Sequence, residues 1–386
     1  MEEFKYPPLN LDKPAIRLLC LHPGNSGVIS CRLILAELHQ RDTMVSYEAL
    51  SYTWGSPNPT AIIYVDGCCL RVTYNLYQAL LDLRYQEQER FLWIDAVCID
   101  QKNKKERGHQ VAQMGNIYKE ADRVIFRLGP GSNVTNVFME SLQWLQRESL
   151  KQACKAWSPQ DGRWKDLWTS FQTVWEEVNA KLEDLQRQGL QEILEQPWFR
   201  RVWILQEVAF AKAGIISCGT KSVSARLFSL TPLLLRVTPD SHCQSVLDIM
   251  PSLWRKFTRS SESRSLYRLL LNFGRSEATE PRDLVYALRG MSSDLAGKLN
   301  DVLFPDYWKK EEDLINDVIR YIYHIDLKNL TWWPRPSSIR ELLRDLPALG
   351  TNFCMEIVKK SLPSDMEMLL QNPEILVSQE VIKAAA

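Results

Sequence analysis

The sequence lacks most of the features that identify a protein at a glance. It has no excess of charge: Lys+Arg and Asp+Glu stand at 47 each, so no general nucleic-acid or anionic-membrane surface is expected. No apolar run approaches the roughly 20 residues that span a bilayer. The opening MEEFKYPPLN is acidic and has no secretory signal core. Together these absences predict a cytoplasmic chain in a reducing compartment. The nine cysteines are odd in number and fall without C-x-x-C spacing, which signals neither a disulfide framework nor a zinc module. Buried thiols are the expectation. Glycine-rich phosphate loops, H-E-x-x-H and G-x-S-x-G are missing, so the common nucleotide, zinc-protease and esterase signatures give no support. There is no low-complexity tract.

What is present is an ordinary globular composition. With 386 residues, 45% of them hydrophobic, the chain can build two or three domains around a large core. Thirteen tryptophans supply large, rigid packing units.

The most telling stretch is Arg90 to Gly129. Phe91 to Val97 reads as a strand buried on both faces, with Asp95 as its single charge. From Glu106 the period changes, and Val111, Met114, Ile117 (or Tyr118) and Ala121 mark an amphipathic helix. Val124 to Leu128 is a second strand, stopped by Gly129-Pro130-Gly131. The unit predicts a parallel pair with a right-handed crossover, with ligands expected beyond the carboxyl ends of its strands. Asp95, Asp100 and Gln101 lie at or past such an end.

Earlier in the chain, Ile16 to Leu21, Cys31 to Glu37 and Tyr47 to Gly55 are strand candidates. Asp66-Gly67 joins Ile62–Val65 to Cys68–Val72 as a hairpin, and Asn75 to Arg84 repeats at helical spacing. Residues 134–195 read as a helical insertion with turns at Trp157-Ser158-Pro159 and Asp161-Gly162. A helix is expected over Arg200 to Phe210 and a last strand over Ile215 to Cys218. Helices then run from about Ser224 to His324, and a Trp-Trp-Pro-Arg-Pro linker leads to further short helices.

Two groups of residues could carry chemistry. The Arg200 to Phe210 helix is apolar almost all round, so Gln206 and Glu207 stand out. A buried carboxylate must be paired, protonated or facing a cavity. Glu207 therefore either pairs with Arg200, Arg201 or Arg107, or it serves a site shared with Trp203, one turn earlier on the same face. The second group is Asp95 and Asp100, which could hold a ribose hydroxyl or a cation; alternatively Asp100 or Asn103 caps the helix that starts at Glu106. Cys98 and His109 could act as nucleophile and base, but no orienting third group is evident.

Three ordered blocks, YEALSYTWG (47–55), LWIDAVCIDQ (92–101) with its Glu106-Arg107 and Gln110-Val111 continuation, and PWFRRVWILQE (197–207), resemble the fungal HET (heterokaryon incompatibility) domain. TEPRDLVYALRG (279–290) and Phe304-Pro305-Asp306-Tyr307 resemble the region that follows that domain, and Asp365 to Ala386 is similar to the short helical repeats behind some HET domains. The resemblance implies an α/β fold of the TIR/flavodoxin type: a mostly parallel sheet with flanking helices and a helical insertion, followed by an all-α region. It implies a HET domain over 1–230, with the insertion at about 134–195, a helical extension over 231–328, and a linker with the start of repeats over 329–386. The chain would then be the front of a longer protein or a relict of one.

The function implied is programmed cell death after non-self recognition. TIR-like enzymes cleave NAD between nicotinamide and ribose through a glutamate in a W-x-x-x-E pattern, and Trp203 to Glu207 fits that pattern. By this resemblance Glu207 is the catalytic carboxylate and NAD the substrate. Ser51, Tyr52, Thr53, Trp54, Asp95, Asp100, Arg107 and Trp203 are its candidate contacts. No metal and no bound cofactor are implied. Self-association and a C-terminal repeat or sensor region are the implied partners, without nucleic acid or a membrane span. The competing expectation is a non-enzymatic scaffold that acts by assembly or recruitment.

Overall fold

The computed structural model describes residues 2–39, 45–56, 58–176, 181–251, 264–295, 302–323 and 336–359. Two compact units divide the chain, Met1–Arg259 and Ser260–Ala386. The first is an α/β unit with one nine-stranded sheet. Its strands are β1 (Ala15–Leu21), β2 (Ser30–Glu37), β3 (Glu48–Tyr52), β4 (Ala61–Val65), β5 (Cys68–Val72), β6 (Arg90–Trp93), β7 (Arg123–Arg127), β8 (Gly214–Cys218) and β9 (Lys221–Ser224). They lie side by side in the order β5-β4-β2-β1-β6-β3-β7-β8-β9.

The sheet is mixed, which corrects the expectation of a mostly parallel one. Four of the pairings are parallel and four antiparallel. The parallel strands concentrate at the centre, in the run β6-β3-β7-β8. Tight hairpins account for two of the antiparallel pairings, β4–β5 and β8–β9, because a two-residue turn can join only antiparallel strands. In the β4–β5 turn both Asp66 (φ 51) and Gly67 (φ 80) adopt the left-handed conformation, as such a hairpin requires. At the other flank β9 pairs back on β8, so Ile215 to Cys218 is not the last strand.

A second correction concerns the central unit. β6 and β7 are not neighbours, since β3 lies between them and is parallel to both. Glu48, the first residue of β3, accepts hydrogen bonds from Arg90 of β6 at 2.5 Å and from Arg123 of β7. Burial pushes the Glu48 carboxyl up, but the two guanidiniums outweigh it and hold it below its ordinary range. This three-strand clasp sets the register at the amino-terminal edge. The opposite edge, where the parallel strands end, is left for other groups.

Strand β6 also ends sooner than expected. The chain leaves it after Trp93 and makes a short helical turn, α2 (Asp95–Cys98), after α1 (Tyr74–Leu83) earlier in the chain. Asp95 therefore lies past the strand rather than within it. Its side chain accepts from the main-chain N–H of Ala96 at 2.7 Å, and its carbonyl accepts from Gln101 Nε2 at 2.9 Å. Helix α3 (Lys104–Glu120) follows, capped by Asn103, whose side chain accepts from Glu106 N.

The 134–195 region is helical, with α4 (Asn133–Lys151), α5 (Gly162–Glu176) and α6 (Leu182–Leu194). The helix expected over Arg200 to Phe210 is broken. Pro197–Arg200 forms a 3₁₀ turn, Arg201 and Val202 are non-helical, and α7 spans Ile204–Phe210. Arg200 therefore does not continue the face of Trp203 and Glu207. Helix α7 packs on α3 at Gly115, where an added Cβ would come within 2.9 Å of the Phe210 ring. Three short helices close this unit: α8 (Ala225–Phe228), α9 (Thr231–Leu235) and α10 (Ser241–Ile249).

In the second unit the described residues form α11 (Leu266–Phe273), α12 (Asp283–Arg289), α13 (Glu311–Tyr323) and α14 (Ile339–Lys359). Arg282 donates to the carbonyls of Tyr307 and Lys309, and Tyr286 to that of Asp306. These bonds join the 279–290 segment to the Phe304–Tyr307 segment. The expected repeat segment, Asp365 to Ala386, lies outside the described residues, as does most of the Trp-Trp-Pro-Arg-Pro linker. Among the described residues no helix is long and apolar enough to cross a membrane.

Candidate active site

The carboxyl end of β3 meets α2 and the 197–210 segment in one corner. Each strand residue there has a defined task. Ser51, 1% exposed, accepts from Trp198 Nε1 at 2.8 Å. The carbonyl of Tyr52 accepts from Arg201 Nη1, and that of Thr53 from Asn75 Nδ2 at 3.0 Å. Trp54 Nε1 donates to both carboxylate oxygens of Asp95, at 3.1 and 3.3 Å. Indole N–H groups seldom stay unsatisfied when buried, so these two tryptophans fix Ser51 and Asp95.

Glu207 completes the corner from α7. It is 1% exposed, and its carboxyl is raised to about 7. Burial is the main cause; the positive charge of Arg201 and a hydrogen bond with Ser51 oppose it, while the nearby charge of Asp95 adds to it. Asp95 is raised as well, again by burial, with Arg201, the Ala96 N–H and Trp54 acting the other way. Among the described residues, Oε2 of Glu207 has no hydrogen-bond partner. Two acids that repel each other, one of them poised near neutrality, form the pattern expected of a functional carboxylate pair. The hydroxyls of Tyr52 and Tyr118 feel the same charges, and burial holds both well above the ordinary phenol range.

Among the described residues Glu207 does not form the expected ion pair with an arginine. Arg200 turns to Asp240, with Nη2 2.6 Å from Oδ2, because the break at Arg201 carries it off the α7 face. Arg201 acts on Glu207 through its charge while its own Nη1 is held by Tyr52 O.

The structure thus gathers Ser51, Tyr52, Trp54, Asp95 and Glu207, while Thr53 is tied in through its carbonyl. Trp203 stands at the start of α7, where its carbonyl accepts from the N–H of Gln206 and Glu207. Asp100 has a different setting: its carboxylate accepts from Lys102 N at 3.0 Å and its N–H donates to Glu106 at 2.7 Å. Arg107 lies in α3, its N–H bonded to Asn103 O, and it is not among the groups that act on Glu207 or Asp95. Cys98 is fully buried and its thiol is pushed up to about 12, chiefly by burial. His109 meets Lys13 O instead, so the two do not make a nucleophile and base. Trp198 is a member of the corner that sequence reasoning missed, and Arg201, expected there only as an ion-pair partner of Glu207, is held by the Tyr52 carbonyl. Both lie in the PWFRRVWILQE block, and a Trp and an Arg next to an otherwise apolar run were the available signal.

A cavity of about 420 Å³ is found at another place, lined by Gly24, Asn25, Gly27 and Arg84 among others. It includes none of the residues around Glu207.

Residues 47–207 match the model of the family described as Heterokaryon incompatibility protein (HET). The match begins at the strand that carries Ser51 and ends on Glu207. The chain is also similar to the curated protein "Heterokaryon incompatibility protein 6, OR allele" of Neurospora crassa, with 28% identity over 361 residues, covering 79% of this chain and 51% of that protein. The chain thus spans about half the length of this relative. No solved structure matches it.

Proposed function

We propose that this chain is a fungal non-self-recognition module that triggers cell death by cleaving NAD at the nicotinamide–ribose bond, with Glu207 as the key carboxylate. The observation that carries the reading is the unpartnered oxygen of a buried glutamate, poised near neutral pH, where the parallel strands end. The family match to residues 47–207 supports the recognition role. The strand order of the parallel run supports the TIR/flavodoxin-like reading. In chain order β6-β3-β7-β8 runs second, first, third, fourth, the order of flavodoxin-type sheets, whose ligands sit beside the first strand at the carboxyl edge.

In the proposed reaction the C–N bond breaks and its electron pair leaves with nicotinamide, which departs neutral. Positive charge develops on the ribose, as in sugar hydrolysis, and an ionised Glu207 stabilises it in a site of low polarity. Water adds to the ribose carbon, and its proton passes through Glu207 or Asp95 to solvent. Trp54, Asp95 and Trp203 keep some exposure and are the candidate contacts for the ring and the ribose hydroxyls. Self-association is part of the proposal, since TIR-like sites are completed by neighbouring copies.

The near-complete burial of Glu207 favours a second reading, in which the corner is a structural core and the module acts by assembly or recruitment. Nicotinamide release by the purified full chain, measured at high protein concentration, separates the two. The enzymatic reading expects turnover that falls by about a hundredfold or more in Glu207→Gln and rises with pH through about 7 as the carboxyl ionises. An assembled, folded chain that releases no nicotinamide establishes the scaffold reading instead.

A further inference from the structure

At the end of β1, away from the β3 edge, the sheet brings together three side chains of a different chemistry. Cys20 and His22 are two residues apart on an extended chain, so they share one face. The antiparallel register pairs Cys20 with Phe91 and Leu21 with Arg90. One further step places His22 opposite Glu89. A ligand atom from each of Cys20, His22 and Glu89 lies within 4.8 Å of the other two.

The histidine is oriented for the task. Its Nδ1 meets the Ser30 hydroxyl at 3.3 Å, while Nε2 points to Glu89, 3.8 Å away. A second-shell hydrogen bond that fixes one ring nitrogen and leaves the other to the metal is the usual arrangement at such sites. His22 and Glu89 are 36% and 40% exposed in their side chains, which gives an ion a way in, whereas Cys20 is buried.

We propose that Cys20, His22 and Glu89 bind one borderline-soft divalent cation of the Zn²⁺ type, with the fourth position open to solvent. Thiolate, imidazole and carboxylate together suit such an ion and disfavour the hard, all-oxygen cations. On binding, the Cys20 thiol gives its proton to solvent and the sulfur becomes a ligand. Arg32, the cross-strand partner of Cys20, is the competitor. Its Nη2 holds Glu89 at 3.0 Å, so it must release that carboxylate when the ion enters. Arg32 is 46% exposed in its side chain and can swing into solvent. The site would tie β1 to the start of β6, the strand that leads into Asp95.

The test is a titration of the metal-stripped full chain with Co²⁺, read by thiolate-to-cobalt charge-transfer absorption, followed by displacement with Zn²⁺. The expected result is one ion per chain. The band disappears in Cys20→Ser, and affinity falls by about tenfold or more in His22→Ala and in Glu89→Gln. Arg32→Gln removes a neighbouring positive charge and binds roughly threefold to fivefold more tightly. A double Cys68→Ser/Cys69→Ser variant, which alters the two half-buried thiols, keeps the band. The proposal is overturned if the natural chain shows no band, or if the band follows Cys68 and Cys69 rather than Cys20. It is equally overturned if His22→Ala and Glu89→Gln bind as the natural chain does. Those two side chains are partly exposed, so their variants decide the matter even if Cys20→Ser does not fold.

Discussion

Glu106 and Glu207 are both buried glutamates with an arginine at hand, 3% and 1% exposed, yet their surroundings are opposite in kind. Both oxygens of Glu106 are satisfied: Arg17 approaches Oε1 at 2.6 Å and Oε2 at 3.0 Å, and the N–H of Asp100 adds 2.7 Å to Oε1. The same guanidinium also donates to Cys98 O at 3.1 Å and Pro7 O at 2.5 Å. Glu207 has one oxygen without a partner and an arginine that is committed elsewhere. The difference separates a buried carboxylate that is bonded at both oxygens from one that keeps an unused acceptor. The Arg17–Glu106 pair, with both carboxylate oxygens bonded, stitches α3 to β1 and the 98–100 turn. An under-bonded acid beside a second acid carries an electrostatic cost instead.

The largest expected effect lies on the scaffold side of this comparison. Glu106→Ala or Arg17→Ala leaves an uncompensated buried charge and should cost about 3–5 kcal/mol, measured by urea denaturation. Equal costs for Glu106→Ala and Glu207→Ala at pH 8 would erase the distinction.

The next effect is smaller and has the opposite sign. The folded chain holds the Glu207 proton more tightly than the unfolded chain, whose carboxyl titrates in the ordinary range. Stability therefore falls as pH rises from about 4.5 to about 7 and is level above that, with the ionisation cost then fully present. The difference converts to at most about 3 kcal/mol. Glu207→Gln should be more stable than the natural chain above pH 7 by up to that amount, and the advantage should vanish toward pH 4.5. Denaturation series at several pH values read this directly, and a pH-independent difference would speak against a poised Glu207.

The smallest effect sharpens the assignment of charges in the corner. Arg201→Gln removes a charge that favours ionised Glu207, so the inflection in the stability profile should move to higher pH. Arg200→Gln breaks an exposed pair with Asp240, which should change stability by less than about 1 kcal/mol and leave the inflection in place. An inflection that moves with Arg200 rather than Arg201 would put Arg200, not Arg201, beside Glu207.

Much of the fold is legible in the chain. The Asp66-Gly67 hairpin, the strands at 16–21, 48–52 and 124–127, and the α3 cap at Asn103 follow from turn chemistry and local periodicity, which act over a few residues. The oddity of Glu207 was legible for the same reason, as a charge on a helix with no polar face. Other features were not. Nothing near Phe91 or Val124 says that β3 enters between their strands, because that pairing joins segments 42 and 75 residues apart through Glu48. The break at Arg201 was hidden by an apolar pattern that a helix and a 3₁₀ turn share. In the sequence Glu106 marks only where the helical period begins, and only the approach of Arg17, 89 residues away, makes it a buried ion pair.

The sequence by itself determined the kinds of element, the turns that join them and which carboxylate could not lie in water, since these depend on local sterics and on the cost of burying charge. Only the tertiary structure decided what that carboxylate meets. Ser51 and Asp95 reach Glu207 from separate segments, and Glu89 reaches Cys20 and His22 by strand register. Electrostatics and ligation act through space, over a few ångströms, and the chain order does not encode those distances.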